Sequence, residues 1–198
     1  MKKRVSIISL TLAAVIWVGV LPAAAESPTT FVRGVLDKTM AIQNDPTLNT
    51  QGRSRAIHQV IEQNFDFPTM AKDTLGATYG QLSGEQRQQF NDTFDYLFED
   101  SYSRMVLNFL KRENIQYGQE RQESGGKARV DTTLNRANDT IPVTYLLHSA
   151  SRGWLLYDVM VDGVSILENY HNEFGRVIRT KSFDNLLERM EEQRRATE

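Results

Sequence analysis

Hydrophobic residues recur at intervals of three and four from Ser27 to about Leu110, which predicts a series of helices. Ser27 followed by Pro28 is typical of a helix start, because serine caps the first amides and proline fits the first turn. Gly76 is expected to end a short helix. The segment Ser83–Gln86 matches a capping box and opens the longest predicted helix.

Beyond Lys111 the apolar residues recur at every second position, which predicts strands at 115–117, 127–134, 141–147 and 154–161. The short connections between them imply an antiparallel meander. Pro142 suggests that the third strand starts at a sheet edge or at a bulge. Two helical stripes then close the chain. The expected fold is therefore α+β, a twisted antiparallel sheet of four or five strands packed with N-terminal and C-terminal helices.

The fourth predicted strand is apolar on both faces. Strict alternation puts Leu155, Tyr157, Val159 and Val161 on one face and Trp154, Leu156, Asp158 and Met160 on the other. Such a strand is either sandwiched in a core or lines an interior cavity. The longest helix also carries a bulky stripe from Phe90 to Leu110. Together these elements offer more apolar surface than one sheet face needs, which predicts an apolar pocket.

The N-terminus has the features of a secretory signal peptide. Lys2, Lys3 and Arg4 precede an apolar run that ends at Ala23–Ala25. A retained membrane anchor is the alternative, since the run approaches spanning length. We expect cleavage of residues 1–25, which leaves one exported domain over 26–198. The chain has no cysteine, so a lipid-modified anchor and disulfides are both excluded, and burial alone must stabilise the domain.

The charge balance excludes a nucleic-acid partner. Removing the three basic residues of the signal segment from the 23 in the chain leaves 20 against 25 acidic residues. No Lys/Arg-rich block interrupts the sequence, so binding to nucleic acid is not expected. For the same reason we expect no basic cluster that binds a phosphate.

Signatures of enzymes are incomplete. The Gly163–Ser165 segment begins a nucleophile elbow, but Leu167 stands where the closing glycine belongs, and Ser165 is better interpreted as a helix cap. Asp158 is expected to pair with an arginine or to cap a turn, the alternative being a general base or metal ligand. No metal or cofactor is predicted. The three histidines, His58, His148 and His171, lie far apart and match no metal-binding spacing.

Three blocks in order resemble the MlaC / toluene-tolerance family. The segment Trp154–Ser165 fits W-x-x-Y-D-V-x-x-x-G-V-S, Phe65–Gly76 is similar to the family's D-F-x-x-M-A…L-G block, and Leu82–Phe94 is similar to its L-S-x-x-Q-R-x-x-F-x-x-x-F helix start. Tyr79 departs from the family's frequent tryptophan. The resemblance implies a periplasmic carrier, not an enzyme, that moves phospholipid between the outer and inner membranes and maintains outer-membrane lipid asymmetry.

The same resemblance implies phospholipid as cargo, with an inner-membrane ABC transporter complex and an outer-membrane lipoprotein–porin complex as partners. The alternatives are a small exported hydrolase that uses Asp158 and an adaptor whose apolar surface is an interface. If the chain carries lipid, two sets of residues are expected to wall the cavity. The sheet wall would be Val143, Tyr145, Tyr157, Val159 and Val161, and the opposite wall Phe94, Leu97, Phe98 and Tyr170.

Overall fold

The computed structural model describes residues 26–110, 114–151 and 153–197, so the proposed signal peptide lies outside the described residues. Five helices precede the sheet, and their starts follow the local signals. Ser27 accepts the amide of Thr30, and Ser83 forms the full capping box with Gln86. Gly76 ends the third helix with φ of 53°. These helices are α1 (Pro28–Asn44), α2 (Thr50–Asn64), α3 (Phe67–Leu75), α4 (Ala77–Gln81) and α5 (Gly84–Phe109).

The strands form one antiparallel sheet in the order β1-β2-β3-β4-β5. Asp162 and Gly163 have φ of 51° and 77°, and they make the tight hairpin turn between the last two strands. The sheet confirms the expected meander, with a short fifth strand. Its strands are β1 (Asn114–Glu123), β2 (Lys127–Asn135), β3 (Thr140–Ala150), β4 (Gly153–Val161) and β5 (Val164–Ser165).

The expectation from Pro142 is wrong, because β3 lies inside the sheet between β2 and β4. Proline is tolerated here because the ladder with β4 begins only at the next residue, Val143, which pairs with Val161. Beyond that pair β4 has already turned into its hairpin, so no amide at position 142 is needed on that side.

The two edges of the sheet differ. β1 is exposed along most of its length, and its register with β2 shifts between Tyr117 and Glu120. On the other side, the segment that joins α2 to α3 lies along β4. Phe65 forms an isolated parallel bridge with Leu156, and the Asp66 amide donates to the Leu156 carbonyl at 2.8 Å. The helices before the sheet therefore attach directly to its β4 edge.

Two helices follow the sheet, α6 (Ile166–Thr180) and α7 (Phe183–Thr197). The side chain of Ser165 caps α6 by accepting the amide of Glu168, as the sequence predicted. Buried residues from both the helices and the sheet form one hydrophobic cluster, which confirms the α+β architecture. Over the described ranges, none of the helices is both long enough and apolar enough to cross a membrane.

Candidate functional site

An apolar cavity of about 140 Å³ lies between the inner face of the sheet and helices α1, α2 and α5. Its polar lining groups are neutral. Thr39 donates its hydroxyl to the carbonyl of Val35 at 2.7 Å, and burial raises the pKa of Tyr102 and Tyr145 far above the usual value. No lining residue is charged, so the cavity suits hydrocarbon. Its wall is formed by Val35, Leu36, Thr39, Ile57, Val60, Ile61, Phe65, Tyr102, Met105, Val106, Phe109, Leu110, Leu134, Ile141, Val143, Tyr145, Leu156, Val159 and Val161.

The centre of the sheet wall consists of residues that the sequence singled out. Val143, Tyr145, Val159 and Val161 all line the cavity. They form two neighbouring cross-strand pairs, Val143 with Val161 and Tyr145 with Val159. Adjacent pairs on one face of an antiparallel sheet present a continuous surface. That their side chains contact lipid stays a prediction.

Tyr157 does not line the cavity, and a bulge in β4 explains why. The register passes from Leu146 opposite Asp158 to Leu147 opposite Leu156, which leaves Tyr157 as the extra residue. One extra residue reverses the alternation of side chains along a strand. Leu156, which strict alternation placed on the other face, therefore lines the cavity together with Val159.

The ring of Tyr157 instead lies on the opposite face of the sheet. Its centroid is 6.0 Å from that of His148, and the Lys127 Nζ lies 5.0 Å from it. His148 in turn contacts Asp66 through Nε2 and Oδ2 at 2.7 Å. Tyr157 thus belongs to a half-buried polar cluster rather than to the cavity wall.

The predicted opposite wall also lies elsewhere. Phe94, Phe98 and Tyr170 pack in an aromatic cluster, with ring centroids 5.7–6.2 Å apart. Leu97 and Phe94 border a separate groove between α5, α6 and α7. Helix α5 has 26 residues, a length of about 39 Å, so its two ends face different neighbours. Only the part from Tyr102 onward reaches the cavity.

Opposite the sheet, the cavity is lined by the last turns of α5 and by six residues of α1 and α2, two helices that sequence reasoning did not assign to the site. Leu36 on α1 and Ile57, Val60 and Ile61 on α2 are buried against it. Their helical spacing was visible in the sequence, but spacing alone does not distinguish a residue that packs against the core from one that borders a cavity.

A second, polar cleft of about 1120 Å³ lies beside the end of α5. Three arginines line it, Arg53 from α2, Arg104 from α5 and Arg136 from the β2–β3 turn. The three positions are distant in sequence, so only the fold brings them to one cleft, and the absence of a phosphate-binding basic cluster stays a prediction. The other lining residues are Gln43, Asn44, Pro46, Thr50, Leu107, Asn108, Asn135 and Ala137, none of them charged.

The cleft and the cavity meet at the end of α5. Leu134 lines the cavity, while the residues that follow it, Asn135 and Arg136, line the cleft. Phe109 lines the cavity, yet 48% of it is exposed, and the Arg136 guanidinium carbon lies 5.2 Å from its ring centroid. The Gln43 amide donates to three carbonyls of the last turns of α5 at 2.9–3.2 Å. An apolar and a basic surface are thus contiguous.

Asp158 caps the start of α6. One carboxylate oxygen accepts the amides of Val159 at 2.8 Å and Leu167 at 3.0 Å, and the other accepts the Ser165 hydroxyl at 2.5 Å. Burial raises the pKa of Asp158, and these hydrogen bonds oppose the rise. The carboxylate is therefore occupied as a structural cap, which was one of the two preferred interpretations of the sequence.

Asp158, Ser165 and His171 line one surface pocket, so the hydrolase alternative depends on how these side chains are hydrogen-bonded. Ser165 donates directly to Asp158 and accepts the Glu168 amide. The nearby His171 lies with Nδ1 at 3.1 Å from the carbonyls of both Asp73 and Thr74. In the described part of the chain, no hydrogen bond joins this histidine to the serine hydroxyl that it would have to activate. Within the described residues, no group of three histidine, aspartate or glutamate side chains could hold a metal ion.

Comparison with known proteins places this fold in a family. A model of the MlaC protein family matches residues 33–192. The chain belongs to the MlaC family. It is 28% identical over 124 residues to the intermembrane phospholipid transport system binding protein MlaC of Haemophilus influenzae, covering 60% of this chain and 57% of that protein. The match thus spans little more than half of the relative's length.

Two further relatives extend the likeness. The toluene tolerance protein ttg2D of Pseudomonas putida is 21% identical over 170 residues, covering 83% of this chain and 79% of that protein. The phospholipid-binding protein of Ralstonia solanacearum, solved in complex with a phospholipid, aligns with a TM-score of 0.73 and 25% identity. That alignment covers 84% of this chain and 96% of the other, so the MlaC fold extends over most of the sequence.

Proposed function

We propose that this MlaC-family protein binds phospholipid by its acyl chains and carries it across the periplasm between the outer and inner membranes. The observation that carries the proposal is the uncharged cavity between the sheet and helices α1, α2 and α5. Its support is the membership of the family and the structural likeness to a protein solved with a phospholipid. The name of the Haemophilus relative supports the transport role.

The physical need for such a cavity follows from the hydrophobic effect. Each methylene that leaves a bilayer for water costs about 0.8 kcal/mol, so two acyl chains require a shield in transit. The cavity of about 140 Å³ is close to the engineered cavity of about 150 Å³ that holds one benzene. Binding whole chains therefore requires the helices α1, α2 and the end of α5 to separate further from the sheet.

We further propose that residues 1–25 are a cleaved signal peptide, that 26–198 form one domain, and that the carrier maintains outer-membrane lipid asymmetry. With no nucleotide-binding motif in the sequence, the energy for directed transport would come from an inner-membrane ABC transporter complex, and an outer-membrane lipoprotein–porin complex would be the other partner. The acidic mature chain favours release from anionic membrane surfaces.

Native mass spectrometry of the protein purified from the periplasm of a Gram-negative host tests the proposal. We expect phospholipid masses on the folded protein, and rebinding of a fluorescent phospholipid after delipidation. Absence of both would refute lipid binding. Turnover of ester substrates by a lipid-free protein would favour the hydrolase alternative, and a stable lipid-free protein complex would favour the adaptor.

A further inference from the structure

Three of the described residues that line the cavity carry a hydroxyl group, and two of these hydroxyls have hydrogen-bond partners within the protein. Thr39 donates to the Val35 carbonyl at 2.7 Å. The Tyr145 hydroxyl has Thr132 as its partner. Because Thr132 donates its own hydrogen to the Val143 carbonyl at 3.0 Å, its oxygen remains an acceptor for the tyrosine. Neither Thr39 nor Tyr145 therefore requires a ligand to satisfy its hydroxyl.

The third hydroxyl belongs to Tyr102, and it forms no hydrogen bond with any other described residue. Two rings fix the direction of the side chain, since Tyr102 stacks on Phe98 with centroids 5.5 Å apart and meets Phe65 edge-on at 5.2 Å. Burial raises the pKa of Tyr145, and the nearby Tyr102 hydroxyl raises it further, so the two hydroxyls lie close together on the cavity wall. Tyr102 thus offers an oriented hydroxyl to the cavity.

This hydroxyl is a hydrogen-bond donor at neutral pH. Burial, together with the Asp158 carboxylate, raises the pKa of Tyr102 far above its usual value, so the group keeps its proton. A donor without an acceptor is costly in an apolar space, and hydrocarbon cannot supply an acceptor. A phospholipid can, because each acyl chain begins at an ester carbonyl. The carbonyl oxygen is uncharged and suits the uncharged lining, whereas the phosphate carries a charge.

We propose that Tyr102 donates a hydrogen bond to an ester carbonyl oxygen of the bound phospholipid, and that the cavity thereby selects ester-linked over ether-linked chains. The inference rests on the phospholipid-binding function proposed above. It makes Tyr102 a positioning residue, since this hydrogen bond fixes how far the glycerol end of the lipid enters between α5 and the sheet. The hydrocarbon beyond the carbonyl then meets only apolar side chains and hydroxyls that are already paired.

The test compares two phosphatidylglycerols with identical chains, one joined to glycerol by esters and the other by ethers, which lack the carbonyl oxygens. Each lipid competes against a pyrene-labelled phospholipid on the delipidated protein. We expect the native protein to prefer the diester about fivefold. Tyr102→Phe keeps the ring and removes the hydroxyl, so this preference should disappear. The decisive quantity is the ratio of the two affinities in each protein, because the lipids also differ slightly in hydrophobicity.

Tyr170→Phe is the matched control. Tyr170 packs on the same Phe98, with ring centroids 6.2 Å apart, but it borders the separate groove between α5, α6 and α7, and its hydroxyl has Ser101 as a partner. This variant should keep the native preference for the diester. If it loses the preference as Tyr102→Phe does, the packing of the aromatic cluster sets the preference and the proposal is overturned.

A second measurement does not depend on affinity. The infrared band of an isotope-labelled ester carbonyl should lie at lower frequency on the native protein than in an apolar solvent, and Tyr102→Phe should reverse that shift. A band at the apolar-solvent frequency on the native protein would overturn the proposal, as would an equal ratio of diester to diether affinity in the native protein and in Tyr102→Phe. If the native protein binds neither lipid, the proposed function itself fails.

Discussion

An ionisable group placed in the sheet wall should remove lipid without removing the fold. Val159 is 1% exposed and lines the cavity, so Val159→Glu places a carboxyl against the acyl chains. Buried glutamates have pKa values of about 8–9, against about 4.3 in water. Keeping such a group neutral at pH 7 costs about 4 kcal/mol, which a domain stable by about 5–15 kcal/mol can survive.

The same substitution has a pH signature. The introduced carboxyl has a higher pKa in the folded than in the unfolded state, so the folded state binds more protons between the two values. The free energy of unfolding of Val159→Glu should therefore increase as the pH falls from about 8 to about 5. Val159→Gln has a similar size and does not titrate, so it should not show this added dependence. Val164→Glu is the surface control, since Val164 is 64% exposed.

The assay combines circular dichroism, chemical denaturation at pH 5 and pH 8, and native mass spectrometry of bound lipid. We expect Val159→Glu to be folded and free of lipid, while Val164→Glu keeps its lipid. Lipid at the native level in Val159→Glu would refute the reasoning. Complete unfolding at both pH values would show that Val159 belongs to an ordinary packed core instead of a cavity wall.

Three further predictions concern stability. Asp158→Ala should lower the free energy of unfolding by about 2–4 kcal/mol in urea denaturation, because the carboxylate accepts three hydrogen bonds; no loss would contradict its role as a cap. Gly76→Ala should lower the melting temperature, since φ is +53° and a Cβ would lie 3.3 Å from His171, whereas Gly80→Ala in open helical space should not lower it. Burial and a neighbouring carboxylate raise the pKa of Asp95 from 3.8 to about 7, so native stability should fall as the pH rises from about 4 to about 7, and Asp95→Asn should reduce that slope in melting curves.

Much of the fold could be predicted because the residues that determine each element lie close together in the sequence. Ser83 caps a helix through a residue three positions later, and Ser165 does the same at α6. Gly76 ends α3 because it adopts a positive φ that other residues avoid. The change from helical spacing to alternation located the sheet, and short connections gave its antiparallel order. None of these inferences required knowledge of distant contacts.

The site was harder to predict because its geometry depends on register and on long-range packing. Nothing in the sequence marks Tyr157 as an extra residue, since the bulge appears only against the ladder of β3. Likewise, the apolar stripe of α5 does not reveal that Phe94 faces helices while Tyr102 faces the cavity. Arg53 and Arg104 lie on different helices, so their presence in one cleft is a product of the tertiary fold.

The edges of the sheet have a consequence for self-association. An open antiparallel sheet exposes unpaired backbone groups that can pair with a second molecule and start aggregation. Here β1 has a bulge and charged residues such as Arg121 at one edge. At the other edge, β5 pairs with the end of β4. Phe65 forms a bridge with Leu156, and the Asp66 amide donates a hydrogen bond to the Leu156 carbonyl. If the wall separates to admit lipid, as proposed, both edges of the sheet therefore stay protected against pairing with a second molecule while the apolar interior is open.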